Sequence, residues 1–336
     1  MTKHIMLTGG LGFIGSHTAV ELINEGYSVF ILDNLSNSSE SVVESIKAIT
    51  GKEFFFCEGD IRDELMVGRF LQANEIDSVI HFAGSKSVNE SVSAPLHYYD
   101  NNVIGTISLL KAMTRHGIKN LIFSSSASVY GDPKYIPINE SHPLNPTNPY
   151  AQTKKQIEEI IVDLAASDSE WKTIILRYFN PVGAHPSGQI GENPQGAPNN
   201  LVPYISKVAE GSLPCLNVYG DDYPTKDGTG VRDYIHVVDL AAGHLAAVEY
   251  LKEEMEKPEI FNLGTGKGIS VLEMVDCYQN ACGISIEKQI LDRRPGDVSE
   301  CFADNTKARL KLKWIPKLSL KDMCESSWTF TSKTSE

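Results

Sequence analysis

The chain has 336 residues, 41% hydrophobic and 22% charged, which allows one large or two unequal domains with real cores. A formal charge of −13 argues against a nucleic-acid or anionic-membrane surface, so any phosphate ligand must be held by a few local cations and helix N-termini. No apolar stretch nears the roughly 20 residues that span a bilayer, and the run into Ile5-Met6-Leu7 is too short for a signal-peptide core. Six scattered cysteines without a Cys-x-x-Cys pair, and nine histidines without a His-x-x-x-His spacing, lead us to expect reduced thiols, a cytoplasmic setting and no metal.

In chain order, residues 4–8 read as a short apolar strand ending in Gly9, and residues 13–25 as a helix. Val29-Phe30-Ile31-Leu32 is a second strand, closed by Asp33. Phe54-Phe55-Phe56, Ser78-Val79-Ile80 and Leu121-Ile122-Phe123 follow, with helical stretches between them. Short β-branched or aromatic runs alternating with helices predict an α/β fold: a doubly wound, Rossmann-like parallel sheet. A smaller C-terminal α/β substrate domain completes it. The expected division is 1–180 and 181–336, with 234–250 returning to the first domain.

Gly9, Gly12 and Gly15 suit a tight strand-to-helix turn, close approach of backbone to a pyrophosphate, and close helix–strand packing. A helix that merely starts in a glycine-rich loop would look similar. Asp33 weighs against that, because a carboxylate there accepts from a ribose diol and repels a 2′-phosphate, favouring NAD over NADP. Asp60-Ile61 either meets an adenine or caps the helix starting near Glu64. His81-Phe82-Ala83-Gly84 reads as backbone passing close to the cofactor, with His81 a satisfied strand-end residue.

Asn148-Pro149-Tyr150 opens a helix, with Asn as its cap and Pro in its first turn. Tyr150, Lys154, Ile157 and Ile161 share one face, which must look inward. A phenol with a pKa of roughly 10 is a poor base at neutral pH, and a fixed ammonium one turn away is the kind of group that lowers it. A buried Lys154 needs polar partners. Ser124-Ser125-Ser126 ends a strand at the carboxyl edge, where open α/β sheets bind ligands. Further on, 180–200, 221–230 and 293–297 read as polar loops. Arg232 and Arg294 carry guanidinium forks that suit a pyrophosphate.

The segments 9–15, Asp33-Asn34-Leu35, 124–131 and Tyr150-x-x-x-Lys154 resemble the extended short-chain dehydrogenase/reductase family. Three longer strings extend the likeness over nearly the whole chain, to the UDP-glucose 4-epimerases. They are Arg177-Tyr178-Phe179-Asn180-Pro181-Val182-Gly183-Ala184, Pro198-Asn199-Asn200-Leu201 and Gly228-Thr229-Gly230-Val231-Arg232-Asp233-Tyr234-Ile235-His236.

The resemblance implies a redox-neutral epimerisation at C4 of UDP-galactose or UDP-glucose through a 4-keto sugar. Tyr150 is then the base, Lys154 its support and Ser126 the group that positions the oxygen. NAD, tightly bound and resting as NAD⁺, would lie against Phe13, Ile14, Asn34, Asn37, Ser38, Phe82, Ala83, Gly84, Lys86, Asn101 and Phe179, besides the residues already given. UDP would be held by Asn180, Asn200, Leu201, Tyr219, Arg232, Arg294 and Asp297. Cys301, small where stricter relatives carry Tyr, leaves room for an acetamido group, so UDP-GlcNAc and UDP-GalNAc are expected as well. A homodimer through helices near 101–115 and 150–166 is also implied. Three other readings are weighed. A 4,6-dehydratase would carry an Asp-Glu pair where Ala127 and Ser128 stand. A UDP-glucuronate epimerase or decarboxylase needs provision for a sugar carboxylate. A non-catalytic NAD-binding regulator would not need Tyr150 with Lys154.

Overall fold

The computed structural model describes residues 3–194, 198, 200–255, 257–294 and 296–334; Asn199 of the second string and Pro295 of the 293–297 loop lie outside them. Two compact units emerge, one of residues 1–131, 144–177 and 241–261, the other of 132–143, 178–240 and 262–336.

The first unit begins with β1 (His4–Thr8), α1 (Phe13–Asn24), β2 (Ser28–Asp33), α2 (Ser41–Thr50), β3 (Phe55–Glu58), α3 (Glu64–Ala73) and β4 (Ser78–His81). Then come α4 (Val88–Ser93), α5 (Pro95–Tyr98), a π-helical turn (Tyr99–Ile104), α6 (Gly105–Arg115), β5 (Asn120–Ser126) and a 3-10 turn (Ala127–Tyr130). After an excursion into the second unit, α7 (Pro149–Ser167) and β6 (Lys172–Tyr178) follow. The other elements are β7 (Asn180–Val182), α8 (Leu201–Ala209), β8 (Leu216–Tyr219), β9 (Val231–Arg232), β10 (Tyr234–His236), α9 (Val237–Tyr250) and β11 (Glu259–Leu263). The chain closes with β12 (Ile269–Ser270), α10 (Val271–Cys282), β13 (Lys288–Leu291), β14 (Glu300–Cys301) and α11 (Leu320–Thr334).

A seven-stranded sheet runs β11-β6-β5-β4-β1-β2-β3. It is parallel in register, with Leu7 opposite Ile31 on one side and Ile80 on the other. Both faces are covered by helices, so the inner strands are apolar almost throughout. Met6, Leu32, Val79, Leu121, Ile157, Ile161 and Ile175 form one continuous core. Ile157 and Ile161 confirm that the apolar face of α7 looks inward. The strand order reverses between β4 and β1, which opens a crevice at the carboxyl edge.

The second unit holds smaller sheets, β10-β7, β12-β9-β14 and β13-β8, packed with α8, α10 and α11. Its buried tie is Asp233, whose carboxylate accepts from the Thr265 hydroxyl at 2.6 Å and from the amides of Thr265, Gly266 and Ala303. Helix α10 starts in a capping box formed by Ser270 and Glu273.

The division differs from the sequence expectation in two places, each for a hydrogen-bonding reason. Residues 234–236 stay in the second unit because β10 pairs with β7, so the return to the first unit spans 241–261. Residues 132–143 belong to the second unit because Ile138 bonds through its amide and carbonyl to Phe302 and Asp304. The stretch at 101–115 is also not one regular helix: a π-helical turn carries Asn101 and Asn102 before α6 begins.

Candidate active site

Gly9 follows β1 with φ of +68°, and a Cβ on it would lie 2.7 Å from the Ala83 amide nitrogen. A Cβ on Gly15 would meet the Gly9 carbonyl oxygen at 2.4 Å. Backbone therefore fills the space that side chains would need, and Gly12 enters α1 without a side-chain cap. The first turn of α1, with Phe13 and Ile14, carries no acidic residue to compete for an anion at its N–H groups.

At the end of β2, buried Asp33 accepts from the amides of Leu11 and Leu35, both at 3.0 Å, and from the Ser38 hydroxyl at 2.9 Å. These bonds orient a carboxylate next to the glycine turn, as a ribose diol requires. Asn34 donates to Asp60 at 3.1 Å. Asn37 lies exposed in the same loop.

Asp60 is not the cap of α3; Asp63 is, accepting from the Met66 amide. Asp60 instead takes the Arg62 guanidinium at 2.7 Å, which with its other bonds lowers the carboxyl pKa to about 2. Ile61 is buried and packs where a Cβ on Gly105 would fall. After β4, the amides of Phe82 and Ala83 both bond the Thr8 carbonyl at 3.0 Å, drawing this backbone across to β1. Lys86 is exposed. Asn101 donates to Ser85 and Asn102. His81 is buried between the Thr8 and Thr106 hydroxyls at 2.7 and 2.8 Å, and burial depresses its pKa to about 3, as expected of a satisfied neutral ring.

The chemical cluster sits where β5 ends against α7. Asn148 caps α7 by accepting from the Ala151 amide at 2.9 Å, which sets the helix start and hence the face of Tyr150. The Tyr150 phenol lies beside Ser126, whose hydroxyl acts to lower its pKa. One turn on, the Lys154 ammonium donates to the Ser124 carbonyl at 2.8 Å and lies 4.8 Å over the Phe123 ring. Lys154 is 5% exposed, the buried lysine the apolar stripe predicted.

The electrostatics differ from expectation in one respect. Part of the Tyr150 side chain is open to solvent, yet the phenol lies deep enough that burial raises its pKa, with only the Ser126 bond opposing. Burial also pushes Lys154 down to about 8, against the pull of the Glu158 carboxylate. The chain alone therefore brings the ammonium pKa close to neutral pH and raises that of the phenol.

In the second unit, Arg232 on β9 donates to the carbonyls of Val231 and Val298 at 2.9 and 2.8 Å and lies 3.9 Å from Asp297. Arg294 bonds Asp297 at 2.8 Å, its guanidinium 4.6 Å over the Tyr219 ring. Cys301 on β14 stands in register with Arg232, and burial raises its thiol pKa to about 11. Tyr219, Arg232, Arg294, Asp297 and Cys301 thus form one group. Asn180 is tied to the same region through its amide bond to the Asp233 carbonyl, and Phe179 is buried beside it. Asn200 and Leu201 open α8, where Asn200 donates to Glu192 at 2.9 Å.

Sequence reasoning passed over two features. Arg293 stacks 4.0 Å from the Tyr223 ring and bonds Asp222 at 2.6 Å, beside Arg294. Glu158, four residues beyond Lys154, is buried against Arg177; its spacing was visible, but a surface ion-pair position has the same spacing.

A family model described as GDP-mannose 4,6 dehydratase matches residues 6–327. The UDP-glucose 4-epimerase of Bacillus subtilis is 54% identical over 328 residues, covering 98% of this chain and 96% of that one. A crystal structure of UDP-glucose 4-epimerase from Bifidobacterium longum with NAD⁺ and UDP superposes with a TM-score of 0.95 at 50% identity, covering 99% of each chain. One from Stenotrophomonas maltophila, with NAD and formylated UDP-arabinopyranose, gives 0.97 at 46% identity and 99% coverage of each chain.

Proposed function

The chain belongs to the UDP-glucose 4-epimerase family, and from that premise we propose that it interconverts UDP-galactose and UDP-glucose with Tyr150 as its proton-transfer group. The observation that carries the reading is the junction of β5 and α7, where Ser126 stands beside the Tyr150 phenol and Lys154 is buried on the Ser124 carbonyl. Ala127 and Ser128 stand where a dehydratase would need its acid pair.

The glycine turn, Asp33 and the 82–84 backbone fit NAD. When bound, NAD supplies a hydride acceptor that returns the hydride, so the reaction is redox-neutral. Tyr150 accepts the proton of the sugar 4-hydroxyl as the 4-keto sugar forms and gives it back to the other epimer. Ser126 orients that oxygen, and Lys154 holds positive charge near the phenol. Arg232 and Arg294 neutralise the UDP pyrophosphate, and the sugar must be held loosely enough to turn over.

Tyr150→Phe tests the assignment: turnover of UDP-galactose without added NAD should fall about 10³-fold while the purified protein keeps its NAD. Near-normal turnover would overturn it. The proposal includes NAD⁺ that co-purifies with the protein and a cytoplasmic setting; among the described residues no helix is long and apolar enough to cross a membrane. It also includes a homodimer. Val92, Leu96, Ile104 and Val162 are exposed apolar side chains on α4, α5, the π-helical turn and α7, Leu96 at 81%. A second copy covering them would account for that exposure.

A further inference from the structure

Three successive residues of β5 are laced to three successive turns of α7. Ser126 meets Tyr150, the Ser124 carbonyl takes Lys154, and the Ser125 hydroxyl donates to Glu158 at 2.5 Å. Side chains alternate along a strand, so the Ser125 bond leaves from the face opposite Ser124 and Ser126. Glu158 is in turn fixed from β6, where Arg177 donates to it through Nε at 3.0 Å and through Nη2 at 2.5 Å. Arg177 also donates to Tyr130, reaching its hydroxyl at 3.2 Å. All of these groups lie within the first unit, Glu158 and Arg177 almost completely buried and Ser126 and Tyr150 half-buried.

We propose that Glu158 is a positioning residue for the reaction: it clamps the end of β5 so that Ser124 and Ser126 keep their contacts with Lys154 and Tyr150, and it holds Lys154 in the charged form. This rests on the reading of Tyr150 as the proton-transfer group. The surroundings of Lys154 leave that electrostatic task to Glu158. In the chain alone burial raises the Tyr150 pKa, His81 from β4 is a neutral ring, and β5 offers the Phe123 face and the Ser124 carbonyl. Glu158 is the carboxylate whose field reaches the ammonium. Around Glu158 itself stand Arg177 from β6, Ser125 from β5 and Lys154 from α7.

A purely structural ion pair would stabilise the fold without touching the titration of Lys154, and this separates the two roles. In holoenzyme labelled with ¹³Cε-lysine, Glu158→Gln should lower the Lys154 pKa by about one unit, and the alkaline limb of the kcat profile should move down with it. Glu158→Asp, which keeps the charge, should leave that limb in place. Ser125→Ala leaves the Glu158–Arg177 pair intact and should lower kcat about tenfold at unchanged KM, with no movement of the limb. A folded Glu158→Gln protein with unchanged Lys154 titration overturns the proposal. So does a Ser125→Ala protein with full kcat, which also decides the matter if Glu158→Gln fails to fold. The lysine titration is read without turnover, so its failure is distinct from failure of the Tyr150 assignment, which Tyr150→Phe reports.

Discussion

In the first unit Arg177 and Glu158 pair with side chains 3% and 4% exposed, whereas in the second Arg294 and Asp297 pair with side chains 47% and 27% exposed. The buried pair is surrounded by further donors and acceptors, so no partner can leave without stranding a charge. The exposed pair is worth little to stability, and Asp297 can release a guanidinium to an arriving phosphate at small cost. Proton transfer needs fixed geometry; capture of a doubly charged pyrophosphate by a protein of charge −13 needs cations whose present partners are exchangeable. On the proposed function the same residue types serve both ends, and depth of burial decides which.

Substitutions can break this contrast. Arg177→Met removes the guanidinium that pairs buried Glu158, so chemical denaturation should show a loss of about 3–5 kcal/mol. Arg294→Ala should cost less than about 1 kcal/mol of folding stability. Equal losses would erase the distinction. Arg294→Ala should instead appear in substrate binding, raising KM for the UDP-sugar about ten- to a hundredfold at near-constant kcat, from the loss of a charge-assisted contact worth about 1.5–3 kcal/mol.

The pH dependence sharpens the first-unit half. Lys154 titrates near 8 in the folded chain against an ordinary 10.5. Activity that needs the ammonium should therefore fall as pH rises through about 8. Between pH 8 and 10.5 the unfolded chain holds a proton that the folded chain has lost, so this residue's contribution to stability rises with pH there. A kcat profile and a denaturation series over the same range should thus move in opposite directions. The smallest expected effect is at Cys301, which stands in register with Arg232. Cys301→Tyr should remove turnover of N-acetylated UDP-sugars while sparing UDP-galactose; unchanged selectivity would count against a role in accommodating the acetamido group.

Much of this was legible because the signals were local. The glycine spacing, the strand-ending Asp33 and the Asn148 cap can each be recognised from a few neighbouring residues, although Asp33 and Gly9 also act on distant backbone at Leu11 and Ala83. The inward face of α7 followed from Ile157 and Ile161. What could not be read depended on pairing across the chain. The bond of Ile138 to Phe302 moves 132–143 into the second unit, and no local pattern announces it. Glu158 looked like any helix-surface acid until β6 supplied Arg177. The raised pKa of Tyr150 comes from burial, which spacing alone does not measure.

The order of the large sheet has a consequence for biosynthesis. Its edge strand β11 is contributed by 259–263, long after β6 has been made at 172–178. A nascent or recombinant fragment ending near residue 180 would expose the backbone donors and acceptors of β6 as an unpaired edge, open to pairing with another chain. Such a fragment holds the glycine turn, Asp33, Tyr150 and Lys154, yet it should aggregate rather than bind a dinucleotide. During synthesis, completion of the first unit must wait until half of the second has been made.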